Sequence, residues 1–256
     1  MNPKHLETYV ESLHKTLESK LFFTKILDEK FFDNKIVVDF GCGDGAVLKH
    51  IHYNSYNCLL VAVDANPNML KLVEQQNIGA YLFSSLEEAS NFIKERSFSD
   101  KEVVCIATSV LHEINDFQNY FRQFCKEVVD YVIIRDMYVL PKVTFGRTEI
   151  LLSKIISGAH PKYLSDFISR YGYEKEALIH YLLKYTYVEN WECEITENYL
   201  SVDWKAIEKL ADKVLFNKEY IQPWRQQQVK KDFDIDISEY TFTTHREIIF
   251  KVKKGE

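Results

Sequence analysis

Asp39, Gly41, Gly43 and Gly45 stand at alternate positions directly after the apolar run Ile36-Val37-Val38, and a helical pattern of Val47, Leu48 and Ile51 follows at once. A strand, a glycine turn and a helix bring backbone N–H groups and a helix N-terminus up against a ligand. The spacing Gly41-x-Gly43-x-x-Ala46 also fits a dinucleotide fingerprint. Asp39 argues against that reading, because a carboxylate at the strand tip repels a pyrophosphate and suits an ammonium or sulfonium cation. A second acid, Asp64, ends the apolar run 59–63 and lies 23 residues after Gly41, where an acid reaches ribose hydroxyls in doubly wound folds. Ala65 comes next, then Asn66 as a helix cap, Pro67 in the first turn, where its missing N–H costs nothing, and Met69. Two further groups follow buried-looking runs: Ser109-Val110-Leu111-His112-Glu113 after 103–108, and Arg135-Asp136 after 131–134.

The segment Asp39-x-Gly41-x-Gly43-x-Gly45, with Cys42 inside it, resembles the first motif of class I S-adenosylmethionine-dependent methyltransferases, whose loop embraces the methionine part of the cofactor. Asp64 followed by a capped helix resembles the family's second motif, so the resemblance implies that Asp64 holds both ribose hydroxyls, with Ala65 and Met69 alongside. It also implies that Ser84, Ser85 and Leu86, after the third strand, sit beside the adenine. The implied cofactor is S-adenosylmethionine, and the resemblance covers about residues 33–140 and 213–252. Leu-His-Glu-Ile at 111–114 is similar to the Leu-His-Asp segment of small-molecule O-methyltransferases, in which a histidine deprotonates the acceptor oxygen. This nominates His112 as a general base, with Glu113 as the group that orients it, against a plain structural histidine. Arg135 is read either as an ion pair with Asp136 or as a fork for a substrate carboxylate or phosphate. Ser109 and Val110 join the cofactor set from the end of the fourth strand.

The elements that position these residues follow from periodicity. Leu6, Tyr9, Val10, Leu13, Leu17 and Leu21 make one apolar face of a helix over 3–30, and resemblance brings Tyr9 or His5 to the cofactor. Strands are expected at 36–40, 59–64, 79–83, 103–108 and 131–134, with helices between them, including one starting at a capping box of Ser85 and Glu88 and one capped by Asn115 or Asp116. Strand-helix alternation with short connections implies right-handed crossovers and a parallel sheet. Strands at 215–221 and 240–252 resemble the family's terminal hairpin. The expected fold is therefore α/β and Rossmann-like: a seven-stranded, mostly parallel sheet with an antiparallel last strand, N-terminal helices and a helical cap insertion. The domain reading is a single methyltransferase domain over 1–256, with N-terminal helices at 1–32, a core at 33–140 and 200–256, and a cap at 141–199 over the carboxyl ends of the strands. Within the cap, helices are expected at 149–157, 162–170 and 175–186.

Composition narrows the classes of partner. The 256 residues carry a formal net charge of −6, so no overall field favours phosphate backbones, although a local basic patch suffices for RNA. Trp224, Arg225, Lys230 and Lys231 form an aromatic-basic mixture of the kind RNA uses, diluted by Asp232, Asp234 and Asp236. The five cysteines show no C-x-x-C pair, and an odd number fits no complete disulfide framework. No run reaches the ~20 apolar residues of a membrane span, no signal peptide opens the chain, and no metal-ligand spacing is present. The expectation is a cytoplasmic enzyme that transfers a methyl group to oxygen or nitrogen of a small polar molecule, without metal or membrane. The alternatives are an RNA or nucleotide methyltransferase and a non-catalytic S-adenosylmethionine-binding module.

Overall fold

A computed structural model describes residues 10, 11, 14, 16–96, 98, 100–114 and 118–254. Seven strands form one sheet: β1 (Ile36–Phe40), β2 (Leu59–Val63), β3 (Tyr81–Phe83), β4 (Val103–Thr108), β5 (Tyr131–Pro141), β6 (Ala211–Tyr220) and β7 (Thr241–Val252). Their order is β3-β2-β1-β4-β5-β7-β6, with β1 parallel to β2 and β4, β2 to β3, and β4 to β5. β7 runs against β5, since Val252 N–H donates to Asp130 O at one end and Lys142 N–H donates to Tyr240 O at the other. It also runs against β6, where Lys253 N–H donates to Leu210 O. This is the expected mixed sheet with its last strand antiparallel and placed between the fifth and sixth. β1 and β4 lie at its centre and are apolar almost throughout because both of their faces are covered, and all six residues of β4 are buried.

The chain divides into two compact units, whose boundaries fall within β5, β6 and β7. The first comprises Met1–Asp136, Asp203–Lys218 and Glu247–Glu256, and its core joins Val37, Leu48, Ile51, Leu60, Val104, Ile106, Ile133 and Ile249. The second comprises Met137–Val202 and Glu219–Arg246. Its core is helical and aromatic, with Leu151, Ile155, Phe167, Tyr181, Trp191, Val229 and Phe233 buried together. The three helices expected here occur, as Thr148–Gly158, Pro161–Tyr171 and Lys175–Lys184, the last two residues short of its expected end.

Four expectations need correction. The N-terminal helix does not run to residue 30: helical geometry at 16–20 gives way to a 3-10 turn at Phe22–Lys25. Phe22 and Phe23 are buried there, and the edge-on contact of Phe23 with Phe32, at 5.5 Å, draws the chain back towards β1. The third strand begins at Tyr81, because Gly79 is left-handed (φ +68°). β6 starts at Ala211, four residues earlier than the apolar pattern suggests. It is an edge strand and mostly exposed, so its side chains carry no period-two signal. Pro223–Phe233 forms a helix that periodicity misses, since Val229 and Phe233 are its only buried apolar side chains. Proline at the first helical position was its one legible signal. Asn115, Asp116, His5 and Tyr9 lie outside the described residues.

Candidate active site

The glycine loop is built so that side chains are excluded from it. Gly41 has φ +70°, and a Cβ placed there would lie 2.5 Å from Val110 Cγ2; Gly45 has φ +82°, and a Cβ there would lie 3.0 Å from Val73 Cγ2. Gly45 is also the N-cap of the helix Ala46–Asn54 and offers no side-chain cap of its own; Asp44 Oδ1 accepts from Ala46 N–H at 3.3 Å. Asp64 ties this loop to the end of β2, its Oδ2 accepting from Gly43 N–H at 3.0 Å and its Oδ1 from Asn66 N–H at 2.8 Å. Burial raises the Asp64 pKa, and those two N–H groups oppose the rise. Asn66 caps the next helix as expected, its side chain accepting from Asn68 N–H at 3.0 Å.

Asp39 lies at the tip of β1, is 2% exposed, and its buried Oδ2 has no hydrogen-bond partner. Burial pushes its pKa up to about 7; Lys20 opposes this, and Asp64 and Asp44 reinforce it. A buried carboxyl oxygen without a donor, beside a loop of glycines, fits the ammonium group of a methionyl ligand. Lys20 and His14 show that the N-terminal segment meets this loop, which spacing alone did not indicate. His14 Nε2 lies 2.7 Å from Asp44 Oδ2, and Lys20 is lowered in pKa by burial and raised in turn by Asp39.

The residues nominated beside the adenine follow β3 and open the helix Leu86–Glu95. Ser85 Oγ accepts from Glu88 N–H at 3.2 Å as an N-cap, and the Glu88 carboxylate returns towards the Ser85 backbone N–H, as the capping box requires. It also accepts from Ser84 N–H and Ser84 Oγ–H, both at 2.8 Å, so the capping box extends one residue further back. Leu86 and Met69 are buried apolar side chains, and Cys42 Sγ–H faces Gly43 O at 3.7 Å.

The groups after β4 and within β5, which runs on to Pro141 beyond the end expected at 134, come together in pairs that cross the two strands. His112 is buried, and its Nδ1 lies 2.6 Å from Asp136 Oδ1. The other oxygen, Asp136 Oδ2, accepts from Val110 N–H at 3.1 Å and Leu111 N–H at 2.8 Å. A carboxylate so engaged can only accept, so Nδ1 carries a proton and Nε2 is the nitrogen turned away from Asp136. Glu113 Oε1 is 3.9 Å from that Nε2, too long for a hydrogen bond, so Asp136 and not Glu113 orients the ring. Arg135 and Asp136 are neighbours on β5, where successive side chains point to opposite faces. Arg135 Nη1–H donates to Ser109 Oγ at 2.9 Å, and Ser109 N–H donates to Arg135 O at 2.7 Å. Ser109 holds a left-handed φ of 58°, which turns the chain sharply out of β4 into the His112 segment.

The strand order 3-2-1-4-5-7-6, an acid before a glycine loop at the first strand and an acid at the end of the second define the class I methyltransferase architecture. Residues 38–129 match a family model described as a methyltransferase domain. A solved S-adenosylmethionine-dependent methyltransferase of Anabaena variabilis is similar in fold, with TM-score 0.50 and 12% identity over 93% of this chain and 84% of its own. One from Mesorhizobium loti gives TM-score 0.47 and 10% identity over 90% and 95% of the two chains. Phosphoethanolamine N-methyltransferase 2 of Haemonchus contortus, solved with phosphomonomethylethanolamine and S-adenosylhomocysteine, gives 0.48 and 9% over 93% and 53%. No curated protein matches the chain in sequence.

Proposed function

We propose that the protein methylates an oxygen or nitrogen of a small polar molecule in the cytoplasm, with His112 taking the acceptor's proton. The observation that carries this reading is the 2.6 Å contact of His112 Nδ1 with Asp136 Oδ1, which fixes the ring from behind and makes Nε2 the nitrogen that would take the acceptor's proton. The bound cofactor supplies an activated methyl group on a sulfonium. Asp39 receives its methionyl ammonium, Asp64 its ribose hydroxyls, and the N–H groups of the glycine loop line the remaining approach. Cys42, Ala65, Met69, Ser84, Ser85, Leu86, Ser109 and Val110 complete the cofactor surroundings in this proposal. Arg135, held by Ser109, and Glu113 complete the charged group around the acceptor. Alignment of the acceptor is worth roughly 7–11 kcal/mol in such a reaction, and removal of a proton adds a further share.

The test is transfer of a labelled methyl group from S-adenosylmethionine into a small-molecule extract and, separately, into an RNA pool. Label in the small-molecule fraction supports the proposal. Label in RNA alone, or in neither pool while the cofactor still binds, overturns it.

A further inference from the structure

The second unit contains a buried cation that nothing in the cofactor chemistry uses. Arg225 is 2% exposed and lies in the first turn of the helix Pro223–Phe233. Its Nη1–H donates to Thr186 Oγ1 at 2.9 Å and its Nη2–H to Tyr187 Oη at 3.3 Å. Its guanidinium also lies against aromatic faces, 4.1 Å from the Trp224 ring centroid, 5.4 Å from Tyr187 and 6.0 Å from Tyr185. Among the described residues it makes no ion pair. Asp232, the carboxylate whose charge it feels, is committed to Tyr185 Oη–H at 2.6 Å and Gln228 Nε2–H at 2.7 Å.

A guanidinium withdrawn from water and matched only by neutral hydroxyls and rings is an incomplete arrangement, because a buried charge is ordinarily paired. Rings and hydroxyls offset part of that cost and fix the fork in one plane. They use two of its five N–H donors and leave the Nε edge without a protein acceptor. The first turn of an 11-residue helix, whose N-cap Gln222 makes no side-chain cap, adds a further preference for negative charge at the same place. Trp224, on whose ring the guanidinium lies at 4.1 Å, is 41% exposed, so the aromatic side of the fork reaches the surface.

We propose that Arg225, with Thr186, Tyr187 and Trp224, forms an oxyanion-binding site in the second unit. It takes a carboxylate or phosphate group carried on a small molecule, and the guanidinium Nε edge makes the principal contact. The inference is independent of the methyl-acceptor reading, since it rests on groups that take no part there.

The experiment is a two-dimensional spectrum of the arginine Nε–H groups of the full chain, which has seven arginines. The Arg225 resonance is the one lost in Arg225→Lys. Sodium phosphate, sodium benzoate and sodium chloride are titrated separately at constant ionic strength. The expected result is a saturable shift of the Arg225 resonance with phosphate or benzoate and none with chloride. The oxyanion that binds more tightly distinguishes a phosphate from a carboxylate ligand. In Arg225→Lys, which keeps the charge and loses the fork, oxyanion-induced thermal stabilisation should fall, with affinity about tenfold to a hundredfold weaker. If Arg225→Lys fails to melt cooperatively, Tyr187→Phe makes the assignment instead, since it removes the Nη2 acceptor and displaces that resonance. A resonance unmoved by both oxyanions, or moved equally by chloride, reduces Arg225 to a tie between the helix and Thr186 and overturns the proposal.

Discussion

Asp136 and His112 are joined by a 2.6 Å contact between Oδ1 and Nδ1, and the same carboxylate uses Oδ2 to hold the two backbone N–H groups that precede the histidine. One side chain therefore sets the path of the loop after β4 and the tautomer of the ring that the loop carries. Asp136→Asn separates these two tasks. The amide oxygen can still accept from Val110 and Leu111, while the amide N–H₂ would face Nδ1 and force the proton to Nε2. We expect single-turnover methyl transfer to fall by roughly 10²–10⁴-fold, with S-adenosylhomocysteine affinity by calorimetry nearly unchanged. A variant with normal turnover would show that the pair is structural.

Asp64→Ala should act on both stability and cofactor. Loss of charge-assisted hydrogen bonds to the ribose costs about 1.5–3 kcal/mol, or roughly tenfold to a hundredfold in affinity. The N–H groups of Gly43 and Asn66 lose their acceptor in the same step, so the melting temperature should also fall. Asp64→Asn, which keeps one acceptor oxygen, should recover part of the stability and little of the affinity. Full affinity for S-adenosylhomocysteine in Asp64→Ala, measured by calorimetry, contradicts the assignment.

Gly41 and Gly79 share a left-handed backbone but differ in surroundings, which allows strain to be separated from crowding. A Cβ at Gly41 meets Val110 Cγ2 at 2.5 Å, whereas one at Gly79 meets nothing within 4 Å. Gly79→Ala should cost only the conformational penalty, about 1–2 kcal/mol. Gly41→Ala should cost more and should abolish cofactor binding. The added mutation Val110→Ala should return part of the stability, as expected for a pair in contact. Equal melting temperatures for Gly41→Ala and Gly79→Ala would show that the loop tolerates the extra carbon.

Asp39 is expected to give the cofactor affinity a pH dependence. Its pKa in the folded protein is pushed up to about 7, above the usual carboxylate range, so the folded state holds this proton over roughly pH 4–7 while the unfolded state has released it. Below about pH 4 both states are protonated, and stability from this group is fully present. It declines as pH rises towards 7, because there the folded state binds more protons. An ammonium ligand requires the ionised carboxylate, so S-adenosylhomocysteine should bind more weakly as pH falls below about 7, by up to tenfold per unit. Calorimetry in buffers of different ionisation enthalpy should show proton release on binding at pH 6.5 and none in Asp39→Asn. PH-independent affinity in the wild-type protein would contradict this.

The parts of the molecule legible from sequence are those whose residue types serve one purpose. The glycine loop reads directly because only a residue without a Cβ fits against Val110 and Val73, and β1 and β4 read as apolar runs because both of their faces are covered. Asn66 and Ser85 were legible as caps for the same reason, each accepting an N–H of its own helix. The partnerships across the sheet were not. Arg135 and Asp136 look like an ion pair when written side by side, yet strand alternation sends one to Ser109 and the other to His112. His14 and Asp44 are thirty residues apart and carry no spacing rule. Arg225 was noticed only as part of a basic mixture, and its burial among rings depends on a helix with almost no apolar stripe.

Single-turnover transfer by His112→Ala, at saturating cofactor and with the acceptor found in the labelled pools, tests the central claim most directly. The ring should be needed for proton removal and not for cofactor binding, so the rate should fall by roughly 10²–10⁴-fold while S-adenosylhomocysteine binds as in the wild-type protein. His112→Gln should fail equally, since an amide can position a hydroxyl but cannot take its proton. Normal turnover in either variant, with cofactor affinity intact, would contradict the assignment of His112 as the base.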